Sequence, residues 1–401
     1  MNKAARLNGF ELFKYGVLAL MPILGAYKGI SVFNLGTVLL LFVLVVDVLV
    51  KRGRVLLNLK LLLVIVTLAV LNIVTGLLHM RTLPLTGVMN NSFDMIVTAI
   101  LCAYFIHSEI VDRDVFYRFL QVVALACAAF LCVQYFLYTR GIILTGLIVP
   151  AVEPNLMAAY PSIAITYGRP NSVFLEPAYF AIYVLPVYAL SLNRKKYLTA
   201  IFLLVTLYLS TSTTGVAAAI VISLIFIVRK KEIPIIVKWV LFLIGLAVLI
   251  MNVSAFADVK VFEKLRFSNL KDNIRVFGTL QYFRYFGVKE ILLGAGHNQL
   301  AVYVKSVSTE IIDNGTNAFF FSFFSFGAVG GLLWNTYLAS LFKVSRNKVL
   351  FLVLILIYLT DQILFNRHLF YLLLLLFVFA DRETDGAAEP IQAAPEGGDA
   401  L

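Results

Sequence analysis

Long apolar runs, each closed by a short polar turn, set the pattern of this chain. A run of about twenty mostly apolar residues reaches across the hydrocarbon core of a bilayer. The runs predict about twelve such helices, at 11–27, 32–50, 58–78, 87–106, 115–138, 173–192, 197–210, 212–229, 233–252, 317–342, 349–366 and 368–381. The pairs 197–210/212–229 and 349–366/368–381 contain short members, so each reads as a tight hairpin or as a span beside a re-entrant segment. Two polar stretches interrupt the pattern, a smaller one at 139–172 and a large one at 254–316. Beyond residue 381 the composition turns to Ala, Gly, Pro and Glu, which predicts a disordered tail over 382–401. The expected fold is an all-α integral membrane protein, a polytopic bundle over residues 1–381 with a large external loop.

Composition agrees with that pattern. Of 401 residues, 61% are hydrophobic and 14% charged, against about 25% charged in soluble domains. The net charge of +11 is explained by topology rather than by nucleic acid. Twenty of the 33 Lys and Arg fall in turns on one side of the predicted membrane and five in the short segments of the other. Cationic turns stay in the cytoplasm, and long loops cross largely regardless of charge. Both termini are therefore expected inside, and the stretches 139–172 and 254–316 outside. Cys102, Cys127 and Cys132 lie within apolar runs and read as small core residues. The first apolar run continues into a span, so no cleavable leader is expected.

Four constellations carry candidate chemistry. In Arg169-Pro170-Asn171-Ser172-Val173-Phe174-Leu175-Glu176-Pro177, Pro177 suits the first position of a helix. Glu176 then falls at the N-cap, either stabilising the helix end or presenting a carboxylate at the outer membrane face. The large loop carries Arg266, Arg275 and Arg284, nine residues apart, and guanidinium groups bind phosphate oxygens bidentately. The same arginines also suit a merely solvated loop. Gly294-Ala295-Gly296-His297-Asn298 is followed by Asp313-Asn314-Gly315-Thr316-Asn317. Such glycines let backbone approach a ligand closely, but no strand precedes them, so no dinucleotide site is expected. The fourth, Ser210-Thr211-Ser212-Thr213-Thr214-Gly215, reads as a hydroxyl-rich hairpin turn. Asp47, Asp94 and Asp361 lie within spans, where ionisable groups are functional candidates.

In this order the motifs resemble the O-antigen and exopolysaccharide polymerase (Wzy-type) family, within the superfamily that includes O-antigen ligases. The resemblance covers residues 160–345 by motif and the whole chain by topology. Ser172 stands where the family more often has Gly, Thr213 where a basic residue is common, and Thr316 where many relatives have His. The resemblance implies a GT-C-like membrane glycosyltransferase on the periplasmic face of the bacterial inner membrane. It would polymerise undecaprenyl-diphosphate-linked oligosaccharides, with a chain-length regulator and a flippase as pathway partners. No cofactor, no metal and no nucleic acid is implied. Glu176 or His297 would take the acceptor's proton; Arg169, Arg275, Arg284 and Arg266 would hold the diphosphate, and Asn317 would bind substrate. The alternatives are a ligase that moves glycan to lipid A core, a flippase using Asp47, Asp94 and Asp361, and a scaffold of an export complex.

Overall fold

The computed structural model describes residues 8–51, 55–107, 110–144, 169–229, 278–308, 316–345 and 347–380, with 234 and 236. Its elements are α1 (Gly9–Leu24), α2 (Leu35–Val50), α3 (Leu59–Leu78), α4 (Leu85–Phe105), α5 (Arg113–Tyr138), α6 (Pro177–Asn193), α7 (Tyr197–Leu209) and α8 (Thr213–Arg229). A 3-10 helix (Gly278–Tyr285) follows, then α9 (Val288–Leu293), α10 (Leu300–Val307), α11 (Ala318–Val344), α12 (Lys348–Thr360) and α13 (Arg367–Val378). The described chain is thus helical, with one isolated antiparallel bridge, Lys28 to Asn34, closing the α1–α2 turn. The tail 382–401, most of the expected span 233–252, most of the stretch 139–172 and residues 254–277 and 309–315 of the large stretch lie outside the described residues.

Four helices, α3, α4, α5 and α11, are long and apolar enough to cross a membrane, so the protein is a helical membrane protein. The apolar helices α2, α6, α7, α8, α12 and α13 are shorter. Local chemistry starts most helices in the same way. Asn8, Asn34, Asn58, Asp112, Asn317, Asn347 and Asn366 each accept a backbone N–H of the first turn, for α1, α2, α3, α5, α11, α12 and α13. A short polar side chain supplies the acceptor that these donors otherwise lack.

Side-chain contacts sort the helix ends into two sets. At one end, Lys14 and Lys51 pair with Asp47 at 3.5 and 2.9 Å, and the Tyr104 hydroxyl donates to Asp47 at 2.5 Å. Arg194 pairs with Asp114 at 2.9 Å and lies over the Phe379 ring. A small cleft there joins Asn193, Arg229 and Val349. These contacts level the ends of α6, α8 and α13 with the start of α12. From this basic end, α6 and α8 rise roughly 25 Å and α12 and α13 roughly 20 Å, at 1.5 Å per residue. Among the described residues, the loop-end termini of α6, α7, α8, α12 and α13 therefore stop short of those of the longer helices, and this step is the recess.

The later part of the large polar stretch departs from the expected open loop. Residues 278–308 pack into the bundle, because Tyr282, Phe286, Leu300, Tyr303 and Val304 are buried. The segment's deepest point meets a break in α11 at Gly327, whose φ is 62° and ψ −165°. Breaking the helix frees the carbonyls of Phe324 and Ser325. The N–H groups of Ala295 and Gly296 donate to them at 2.8 and 3.0 Å. The break lies roughly 14 Å along α11 from its start. Non-helical backbone at such depth needs protein partners for its polar groups, and α3 and α4 provide more of them. Asn72 Oδ1 accepts the His297 N–H at 2.7 Å, Thr75 Oγ1 donates to the Leu293 carbonyl at 2.9 Å, and Asn91 donates to the His297 carbonyl at 2.8 Å.

Candidate functional site

The first of the sequence constellations folds inward at the loop end. Ser172, at φ 56°, donates its backbone N–H to Gln134 Oε1 at 2.6 Å and its hydroxyl to the Cys127 carbonyl at 2.7 Å. Cys127 lies roughly 16 Å along α5 from its loop-end terminus, so Arg169–Glu176 descends into the recess. Arg169 is half-buried. Its Nε and Nη2 donate to the hydroxyl and carbonyl oxygens of Thr211 at 3.1 and 3.0 Å. The hydroxyl-rich turn between α7 and α8 is thereby joined to the Arg169–Glu176 segment. Gly215 completes the junction: a Cβ there would lie 2.6 Å from that of Ala181 on α6. Only a glycine lets α8 approach so closely.

Glu176 occupies the N-cap of α6 and Pro177 the first helical position, as expected. Its side chain makes no capping hydrogen bond, unlike the seven Asn and Asp caps above. Glu176 is exposed. Pro177 brings no N–H to the first helical position and pre-sets the helical φ, so α6 starts without a capping bond from the carboxylate. Tyr179, one turn along, faces α13: the His368 imidazole stacks on its ring at 4.4 Å and 27°, and the Arg367 guanidinium lies 5.7 Å from it. Arg367 also donates to the Gly25 carbonyl at 2.6 Å. Arg169, Thr211, Glu176, Tyr179, Arg367 and His368 thus gather about the start of α6.

The other expected site residues lie elsewhere. His297 is 3% exposed and enclosed by the rings of Phe321, Phe326 and Phe365, 5.7–5.9 Å away. Its backbone and ring partners are Asn72, Asn91 and Asn298, none of which belongs to the Arg169–Glu176 segment. Asn317 is buried and caps α11, accepting the Phe320 N–H at 2.9 Å. Arg284 is exposed on the 3-10 helix, bonded to the Tyr285 hydroxyl and lying over that ring. Arg266 and Arg275 lie outside the described residues. The glycines Gly294 and Gly296 approach the α11 backbone rather than a ligand. Asp47 is bound by the two lysines and the tyrosine at the basic end, which serves the architecture of that end.

The re-entrant segment carries a contact that should make the fold acid-sensitive. His79 Nε2 lies 2.8 Å from Glu290 Oε1 and its Nδ1 2.9 Å from the Thr75 carbonyl. Burial alone would raise the Glu290 pKa, but the hydrogen bond from His79 holds it below the usual carboxylate range. A depressed carboxylate gives stability at neutral pH that is lost as pH falls through its folded value. The melting temperature in detergent should therefore fall steadily from pH 7 to pH 4. Glu290→Gln should flatten that slope, and an unchanged slope would show that the His79–Glu290 contact contributes nothing to it.

Sequence reasoning passed over Arg367 and His368, reading them as the edge of a leucine-rich span. The signal was available as the polar triplet Asn366-Arg367-His368 between two apolar runs. No protein-family model, no curated protein and no solved structure matches the chain.

Proposed function

We propose that this protein is a membrane glycosyltransferase that polymerises glycan repeats carried on undecaprenyl diphosphate, and that the recess at the start of α6 is its active site. In this reading the basic end faces the cytoplasm and the loop end faces the periplasm of a bacterial inner membrane, with about twelve spans in all. The observation that carries it is the carboxylate of Glu176, set at a helix start it does not cap. It stands beside a segment whose Arg169 is fastened inside the recess. The short helices leave the recess below the level of the hydrocarbon surface, where a lipid-borne substrate can enter sideways.

The chemistry follows from those groups. The non-reducing-end hydroxyl of a new repeat attacks the anomeric carbon of the growing glycan. The bond from that carbon to the diphosphate oxygen breaks, and undecaprenyl diphosphate leaves with the electron pair. Glu176 takes the hydroxyl proton. Arg169 stabilises the charge developing on the leaving group, together with Arg266 and Arg275 of the large loop in the same reading. The lipid diphosphate is itself the activating group, so no nucleotide is needed.

Arg169 gives a direct test in membranes supplied with lipid-linked single repeats. Arg169→Ala should abolish the polymer ladder at unchanged protein level. Arg169→Lys should restore little of it, because an ammonium cannot reproduce the planar fork. A normal ladder from Arg169→Ala would remove this arginine from the site.

A further inference from the structure

Arg367 and His368 open α13, and Asn366 caps it by accepting the His368 and Leu369 N–H groups at 2.9 and 3.3 Å. The helix terminus is therefore satisfied without them, and their side chains turn towards α1 and α6. Three of their nitrogens, Arg367 Nε and both ring nitrogens of His368, are buried and hydrogen-bond no protein atom. His368 is 1% exposed. Among the described residues no carboxylate lies within ion-pair distance of Arg367.

A half-buried cation whose buried Nε meets no partner is costly, and buried polar groups are ordinarily paired. A leucine at either position would avoid that cost in a helix that is otherwise almost all Leu and Phe. The unmet groups are chiefly donors: a guanidinium donates only, and an imidazole carries at least one N–H. Their complement is an acceptor-rich anion. A phosphoryl group fits, since Nε–H and a neighbouring amino group of arginine form a fork that matches two of its oxygens. The start of α13 lies roughly 18 Å from the basic end by helix rise, within the depth of the hydrocarbon. An anion reaching this level arrives most readily on a lipid. Tyr179, on which His368 stacks, is one turn from Glu176, with its N–H donated to the Glu176 carbonyl at 3.0 Å.

We infer that Arg367 and His368 form a lipid-phosphoryl subsite beside Glu176, which takes the diphosphate of the lipid-linked glycan. This assignment rests on the function proposed above. It places a second arginine in the recess, on the far side of the α6 start from the Arg169–Thr211 contact.

The test is binding without turnover. The full-length protein in phosphatidylcholine nanodiscs is titrated with undecaprenyl diphosphate, phosphatidylglycerol or inorganic diphosphate, and the melting temperature gives the affinity. Undecaprenyl diphosphate should stabilise the native protein. Arg367→Ala should weaken its binding at least tenfold, and His368→Gln severalfold. Arg367→Lys should bind with intermediate affinity, which a purely structural role for the Gly25 contact would not produce. The exposed control Arg140→Ala should bind as the native protein does. If Arg367→Ala does not fold, Arg367→Lys and His368→Gln carry the test alone. Native affinity in both variants would overturn the subsite. Equal stabilisation by phosphatidylglycerol, lost in the same variants, would make it a phospholipid headgroup site and overturn its assignment to substrate. The polymerase reading fails separately: a chain that binds undecaprenyl diphosphate through Arg367 yet makes no polymer keeps the subsite and loses the reaction.

Discussion

Glu176→Gln should leave protein level and fold intact while polymerisation drops at least about a hundredfold, since removing a general base typically costs 10²–10⁴ in rate. Lipid-linked single repeats should accumulate. The competing role for this residue is a helix cap, whose removal costs roughly 0.5–2 kcal/mol of stability. The two roles separate because the carboxylate makes no capping hydrogen bond and Pro177 already starts the helix. A glutamine keeps an acceptor at the same position and removes only the ability to take a proton. The melting temperature of Glu176→Gln should thus match that of the native protein. A large fall in stability with polymer still forming would return Glu176 to a structural role. His297 could not then replace it simply, because three phenylalanine rings enclose it and its partners lie on α3 and α4 rather than at the start of α6.

Gly327→Ala should prevent accumulation of folded protein. Gly327 holds φ 62° with ψ −165°, a conformation essentially confined to glycine that costs other residues roughly 1–3 kcal/mol. Space is the larger obstacle, because an added Cβ would lie 2.2 Å from the carbonyl carbon of Leu292. Gly294, at φ 81°, faces the break from the other side, with its virtual Cβ 2.4 Å from the carbonyl carbon of Ser325. The two backbones touch, and neither can give without losing the hydrogen bonds from Ala295 and Gly296 to α11. Each buried group left unpaired costs a further 1–3 kcal/mol or so. Gly16→Ala on α1, where a Cβ meets nothing within 4 Å, is the control and should be neutral or slightly stabilising. Monodispersity and thermal unfolding in detergent read both variants. A well-folded Gly327→Ala protein would mean that the re-entrant segment is not locked to α11.

The four long spans, α3, α4, α5 and α11, were legible because lipid imposes a length and a composition on a helix that few other structures share. The start of α6 was legible for a local reason: Glu-Pro fixes a helix boundary by backbone chemistry alone. The re-entrant segment was not. Gly294-Ala295-Gly296-His297 has the polarity of a surface loop, and its burial depends on partners two hundred residues away. Asn72, Thr75 and His79 held the clue, three polar residues at helical spacing within and just after an apolar run, with Gly327 inside another. Glycine spacing showed that a backbone would be approached closely, but not that the approaching group would be a second backbone. His368 was hidden for a related reason. A single imidazole ahead of ten apolar residues changes the hydropathy of its run very little, and only the packing of α13 on α6 reveals what it touches.

The central claim is that the recess transfers glycan from one lipid diphosphate to another repeat. Proteoliposomes containing the purified full-length protein, lipid-linked single repeats and lipid A core test it most directly. The products to measure are glycan length, free undecaprenyl diphosphate and the leaflet holding unreacted substrate. The account predicts a ladder of lipid-linked glycans, with one undecaprenyl diphosphate released for each repeat added, and loss of both in Glu176→Gln. Glycan appearing only on lipid A core, or intact repeats moved between leaflets without any release of undecaprenyl diphosphate, would contradict it.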